Sequence, residues 1–168
     1  MVVVILGPTC VGKTKLSVEL AKKINGEVIN ADSTQVYKGL DIATAKVTEE
    51  EKENIPHHLF DIKDITEDYT VFDYQKDCRL YIDDIIKRGK TPILVGGTGL
   101  YIKAALYDYE FINDDNNTYD ELSNDELYNK VMSMDKDNTI HKNNRKRLVR
   151  ALNYMESTKL PYSKKDKW

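Results

Sequence analysis

Residues 7 to 14 read GPTCVGKT and satisfy G-x-x-x-x-G-K-[ST] in full. A loop of this composition binds phosphate. Its backbone N–H groups turn inward, the following helix start adds positive potential, and glycine lets the chain approach the ligand closely. Gly7 and Gly12 supply that freedom, Lys13 supplies a point charge, and the Thr14 hydroxyl suits Mg²⁺ beside a phosphate oxygen. Pro8, Thr9, Cys10 and Val11 fill the variable positions, and Cys10 has no base in the motif to activate it as a nucleophile. Two other groups could do chemistry. Asp32, in Asn30-Ala31-Asp32-Ser33, is an acid just after an apolar run, able to position Mg²⁺, to act as a base, or only to cap a turn. Lys146, Arg147 and Arg150 bring positive charge near the end of the chain, either to hold phosphates or to form a solvated helix face.

The loop needs a strand before it and a helix after it. Val2 to Leu6 is a continuous apolar run, which predicts a buried parallel strand. Leu16, Leu20, Ala21 and Ile24 recur at helical spacing from about Lys13, and Asn25-Gly26 ends the helix. Glu27 to Asn30 reads as a second strand, followed by a loop-rich stretch. Thr70-x-x-Asp73 predicts a capped helix with Cys78, Tyr81, Ile82, Ile85 and Ile86 on one face, ended by Gly89. Pro92 to Val95 is a third strand, turning at Gly96-Gly97, and Leu100 to Leu106 is helical. This alternation implies an α/β fold: a P-loop NTPase-like parallel sheet covered by helices, with a small helical appendage.

In the appendage, Ser123-x-x-Glu126 is a capping box with Leu122 and Leu127 as its staple, opening a helix to about Met134. A second helix runs from Asn144 to about Ser157, with Leu148, Leu152 and Met155 on one face and Arg147, Arg150 and Tyr154 on another. The expected division is 1–110 as the P-loop core and 111–168 as the helical segment, its end able to return toward the core. The stretch NDDNNTYD from Asn113 to Asp120 reads as an exposed loop or junction.

With 168 residues and about 40% apolar content the chain can bury a core, and its net charge of −3 advertises no global attraction to nucleic acid. That average hides an acidic stretch from Thr48 to Asp68 and a basic one from Lys142 to Lys167. Cys10 and Cys78 lack metal or disulfide spacing, which fits a reducing, cytoplasmic setting, and neither a signal peptide nor a membrane span is predicted. An ordinary P-loop ATPase or GTPase ends another strand in an Asp for Mg²⁺, whereas Pro92 to Val95 leads to Gly96-Gly97-Thr98. Nor is there a signature for adenine or guanine, although such loops are the nucleotide-binding and ATP-binding element of many proteins. The loop can therefore serve a diphosphate that belongs to no nucleotide. A small-molecule or nucleotide kinase and a non-catalytic RNA-binding fragment are the alternative readings.

Taken in order, GPTCVGKT, NADSTQVYKGLDIATAK, IPHHLFDI, DYQKD, PILVGGTGLYIKAAL and IHKNNRKRLVRAL resemble the bacterial tRNA dimethylallyltransferases, or tRNA isopentenyltransferases. DSxxxYxGxDIxTAK is the most specific of these blocks. The resemblance implies transfer of a dimethylallyl group from dimethylallyl diphosphate to N6 of the adenosine beside the anticodon, with Mg²⁺, tRNA as partner, no membrane, and a monomer. It implies that Gly7 to Thr14 hold the diphosphate, that Asp32 is the base, and that Thr98 contacts phosphate at the reacting centre. Asp32, Ser33, Thr34 and Gln35 would meet the target nucleotide. Lys146, Arg147 and Arg150 fall on a tRNA-touching stretch usually written Q-R-x-x-R, with Lys146 in place of Gln. His57 and His58 are read as structural, not as zinc ligands. Family members are longer, and their C-terminal part supplies another active-site arginine and more tRNA contacts. The stretch from Asp108 to Leu122 is short for their helical insertion, so this sequence is expected to be a shortened form, a fragment, or the ordered part of a longer protein.

Overall fold

The structure, a computed structural model, describes residues 1–42, 44–107 and 119–164. They fall into two compact units, one within Met1–Tyr109 and one within Glu110–Trp168. Most of the predicted low-complexity stretch, 113–118, lies outside the described residues, but Tyr119 at its end is buried in the second unit rather than exposed.

The first unit is a parallel sheet in the order β1-β4-β2-β3, made by β1 (Val3–Leu6), β2 (Gly26–Asn30), β3 (His57–His58) and β4 (Thr91–Gly96). Helices α1 (Lys13–Ile24), α2 (Glu49–Lys52), α3 (Val71–Lys87) and α4 (Gly99–Leu106) complete it. Strand β4 lies at the centre, pairing Ile5 with Val95 on one side and Asn30 with Val95 on the other. Side chains alternate across the sheet. Ile29 and Leu94 therefore join a core with Tyr74, Cys78, Ile82 and Ile85 of α3 and Tyr101, Ile102 and Ala105 of α4. Val28 and Ile93, one position earlier, face the other side, where α1 packs with Val18 and Ala21 buried.

Three expectations are corrected. The apolar run at Val3–Leu6 is the edge strand, not a fully buried one; Val4 and Leu6 stay exposed because only β4 pairs with it among the described residues. Helix α1 is rotated from the predicted face. It buries Ser17, Val18 and Ala21 and leaves Leu16 exposed, since the Ser17 hydroxyl donates to the Thr14 carbonyl (2.7 Å) and so enters the packed side at little cost. On α3 the buried face begins with Tyr74, stacked on Tyr101 with ring centres 3.9 Å apart, and Ile86 is exposed. The capping box Thr70–Asp73 is formed as predicted, with Thr70 Oγ1 accepting from Asp73 N.

The second unit holds α5 (Asn124–Met134), α6 (Arg145–Thr158) and a 3₁₀ turn, Tyr162–Lys164. The Ser123–Glu126 capping box forms, and Leu127, Val131, Leu148, Leu152 and Met155 close a small core with Leu122 packed against it. Arg145 is the latch: its guanidinium donates to the carbonyls of Leu122 and Tyr119, both at 2.7 Å. Buried Asp135 accepts from the Ser163 amide (2.7 Å) and hydroxyl (2.9 Å), pinning the 3₁₀ turn to this unit. No helix among the described residues is long and apolar enough to cross a membrane.

Candidate active site and its relatives

A cavity of about 440 Å³ opens over the ends of β1, β4 and β2 in the first unit. Thr9, Cys10, Gly12, Lys13 and Thr14 form one wall; Asp32, Val95 and Gly96 lie beneath; Gln35, Ala45, Lys46 and His57 close the far side. Parallel strands gather their loops at their C-terminal ends, and the cavity sits there.

The phosphate loop is built as its residues require. Gly12 has φ +85° at the start of α1, a left-handed conformation that glycine adopts without strain. The Gly7 amide donates to the Gly96 carbonyl (3.4 Å), tying the loop to β4. The amides of Thr9, Cys10, Val11 and Gly12 have no acceptor among the described residues, so they are available to an anion. Lys13 Nζ donates to the Pro8 carbonyl at 2.6 Å, which keeps its charge within the loop. Thr14 lies half-buried in the same wall.

Across the cavity, Asp32 follows β2. Its Oδ1 accepts from the Thr34 amide (3.0 Å) and hydroxyl (2.7 Å), so the turn-capping role considered for Asp32 is real and uses one oxygen. Oδ2 has no donor among the described residues and lies beside Gly97. Thr98, the N-cap of α4, accepts from the Ser33 amide at 3.0 Å and places its hydroxyl 3.3 Å from that of Ser33. The structure thus brings Asp32, Ser33, Thr34 and Thr98 together, and Asp32 shares the cavity with Gly12 to Thr14. Gln35 also lines it, but its amide nitrogen is spent on the Thr44 carbonyl (2.8 Å), leaving its oxygen as the free end.

The block after Asp32 is a folded module. Lys46 is its pin: a side chain only 5% exposed, donating to the Tyr37 carbonyl (2.8 Å), Asp41 (2.8 Å) and Asp61 (2.5 Å). Burial works against its charge, yet the two carboxylates outweigh burial and hold its pKa above the ordinary lysine value. Behind the sheet, Glu27 is buried within β2 and is held by Arg88 (2.5 and 2.7 Å), Lys90 (2.7 Å) and His58 (2.7 Å). The Arg88 guanidinium and these other donors outweigh the cost of burial and keep its carboxyl far below the usual carboxylate range. His57 Nδ1 sits 2.7 Å from the Ile55 carbonyl, and burial lowers its pKa. Sequence reasoning missed Glu27, Asn30 and Lys46. The signal at Glu27 was a charge inside an apolar strand; Asn30 and Lys46 carry none, because their partners come from carbonyls and distant loops.

In the second unit, Lys146, Arg147 and Arg150 are exposed on α6, opposite buried Leu148, Leu152 and Met155. Asn144 caps the helix by accepting from the Arg147 amide (3.2 Å). The basic residues that the sequence set beside them, Lys142 and Arg145, are used within the unit, Lys142 toward Asp125 and Arg145 in the latch.

A parallel α/β sheet with a phosphate loop at the end of its first strand defines a P-loop NTPase-like protein. The family model for IPP transferase matches residues 35–168, and the chain belongs to that family. It is 52% identical over 164 residues to the tRNA dimethylallyltransferase of Anoxybacillus flavithermus, covering 94% of this chain and 53% of that protein. It is 49% identical over 172 residues to that of Enterococcus faecalis, covering 94% and 55%. Among solved structures, the tRNA delta(2)-isopentenylpyrophosphate transferase of Staphylococcus epidermidis matches with a TM-score of 0.63 at 46% identity, covering 96% of this chain and 56% of that one. A eukaryotic dimethylallyltransferase acting on tRNA matches with a TM-score of 0.84 at 36% identity, covering 97% and 43%. The chain spans about half the length of the curated relatives it matches.

Proposed function

We propose that this chain carries the catalytic core of a tRNA dimethylallyltransferase: it holds dimethylallyl diphosphate on Gly7 to Thr14 and directs the allylic carbon at N6 of an adenosine in tRNA. One observation carries the reading. A carboxylate with one unengaged oxygen, on Asp32, lines the same cavity as the phosphate loop. An acceptor amine and a diphosphate leaving group need just such neighbours.

In this reading N6 forms a bond to the allylic carbon as the bond from that carbon to the diphosphate oxygen breaks. Asp32 Oδ2 takes the N6 proton. Lys13 and the loop amides stabilise the charge that builds on the departing pyrophosphate. Thr98 and Ser33 orient the phosphate and acceptor at the reacting centre, and Thr34 and Gln35 border the target nucleotide, which must be extruded from its stack. Mg²⁺ takes oxygen ligands, and the Thr14 hydroxyl, an oxygen donor on a residue lining the cavity, fits it. Bound there, it would neutralise diphosphate charge. Lys146, Arg147 and Arg150 serve tRNA phosphates. The compartment we assign is the cytoplasm, where free Cys10 and Cys78 stay reduced.

The test is incubation of the chain with tRNA and labelled dimethylallyl diphosphate in the absence of ATP. Label should enter RNA, and Asp32→Ala should cut turnover by about two to four orders of magnitude. ATP-dependent phosphorylation of a small acceptor, with no binding of dimethylallyl diphosphate, would overturn the proposal.

A further inference from the structure

We infer that Asn30 is the positioning residue that aims Asp32. It stands at the end of β2, wholly buried, on the strand that delivers Asp32 to the cavity. Its carboxamide grips Asp32 from both sides of the backbone. Oδ1 accepts from the Asp32 amide at 2.9 Å, and Nδ2 donates to the Asp32 carbonyl at 3.0 Å. Nδ2 also donates to the Leu59 carbonyl at 3.0 Å, and Leu59 has φ +62°, a conformation that a leucine rarely adopts without support. One side chain thus spends its oxygen and both N–H donors, ties the reacting segment to the strand after Pro56, and leaves the Asp32 carboxylate as the part of that residue free to face the cavity.

Other contacts on Asp32 do not replace this grip. The two bonds from Thr34 reach Oδ1 and fix the rotation of the carboxylate, not the path of the main chain. The next main-chain anchors lie one residue to either side: Ala31 N to Val95 O (2.8 Å) and Thr98 N to Ala31 O (3.1 Å) upstream, and Ser33 N to Thr98 Oγ1 (3.0 Å) downstream. Without Asn30 the backbone of Asp32 has no partner among the described residues, and displacement of a reacting group by about 1 Å costs about a hundredfold in rate. Asn30 touches neither the loop nor the cavity, so its removal leaves the diphosphate wall intact.

The inference rests on the reading of Asp32 as base, and the experiment separates the two. Amide hydrogen exchange on Asn30→Ala and Asn30→Ser reads the geometry without any turnover. In Asn30→Ala exchange at Asp32 should speed up by at least about tenfold, the equivalent of one lost hydrogen bond, while exchange at Val28 and Ile29 is unchanged. Asn30→Ser, whose hydroxyl can still accept from the amide two residues on, should recover much of that protection. Pyrophosphate affinity should equal that of the wild type in both. In the transfer assay Asn30→Ala should lower kcat by about tenfold to a hundredfold at unchanged KM for dimethylallyl diphosphate, with Asn30→Ser in between. Unchanged Asp32 protection in Asn30→Ala overturns the inference, as does equal loss of kcat in the two variants. Loss of Asp32 protection with full activity in Asp32→Ala overturns the base assignment instead, and with it any catalytic value of the grip.

Discussion

Gly96→Ala puts the geometry of the site under direct test. A Cβ at position 96 would stand 2.1 Å from the Ala31 oxygen, 2.2 Å from its carbonyl carbon and 2.8 Å from its Cα. Contacts of Cβ with backbone essentially never fall under 3.0 Å, so the ends of β4 and β2 must part by about 1 Å or more. Two hydrogen bonds span that gap, Ala31 N to Val95 O and Thr98 N to Ala31 O. Losing both costs about 2 kcal/mol, and overpacking adds about 1–3 kcal/mol. The expected loss is therefore about 3–5 kcal/mol, a large share of the stability of a domain of this size. Urea unfolding followed by circular dichroism measures it. Gly97→Ala is the control, since its Cβ meets Gly7 O at 3.6 Å and Asp32 Oδ2 at 3.7 Å, ordinary contacts. It should keep the fold within about 1 kcal/mol. A Gly96→Ala protein within about 0.5 kcal/mol of wild type would refute the close approach of the two strands and the placement of Ser33 beside Thr98.

Three further outcomes follow from the geometry. Lys13→Ala should weaken pyrophosphate binding by about tenfold or more in calorimetry, because the loop gives up a charge-assisted hydrogen bond to the anion; unchanged affinity would count against that loop as the diphosphate site. The double substitution Arg147→Ala with Arg150→Ala should weaken tRNA binding and flatten its dependence on log salt by about one unit for each phosphate no longer neutralised, without changing pyrophosphate affinity; parallel salt plots would make these arginines a solvated face. Glu27 has its pKa depressed by Arg88 and its other partners, so it adds stability above about pH 4.5, its unfolded value, and that stability is lost as pH falls toward and through the depressed one. Glu27→Gln should be less stable at pH 7 and show a flatter acid limb in thermal melts; an identical acid limb would show that the cluster contributes nothing.

Much of this was legible in the residues. The loop at Gly7 to Thr14, the capping boxes at Thr70 and Ser123, and the strand at Pro92 to Val95 rest on local chemistry, so their signals lie within a few adjacent positions. The parallel α/β sheet followed from their alternation. Strand order did not, because pairing is a long-range choice, and the placement of Val3–Leu6 at the edge was therefore misread. The rotation of α1 was misread because a serine bonded to its own helix can be buried while the leucine beside it stays in solvent. For the site, Asp32 and Thr98 lie far apart in sequence, and the matching blocks named them. The hydrogen bond from Ser33 to Thr98 and the grip of Asn30 need coordinates, since side-chain to backbone bonds leave no pattern in composition.

The central place of β4 also sets an order on synthesis. Strand β1 pairs with no strand but β4 among the described residues, and β2 finds only the two-residue β3 before β4 exists. The phosphate loop and Asp32 are both made early, yet nothing joins their strands until residue 96 has left the ribosome. At about 5–20 residues per second the nascent chain spends several seconds with an apolar strand and a charged loop unpaired. Closing a sheet across so long a separation is slow, and the edge at Val4 and Leu6 is exposed throughout. A pause in synthesis before β4 has emerged from the ribosome would therefore favour aggregation more than one after it.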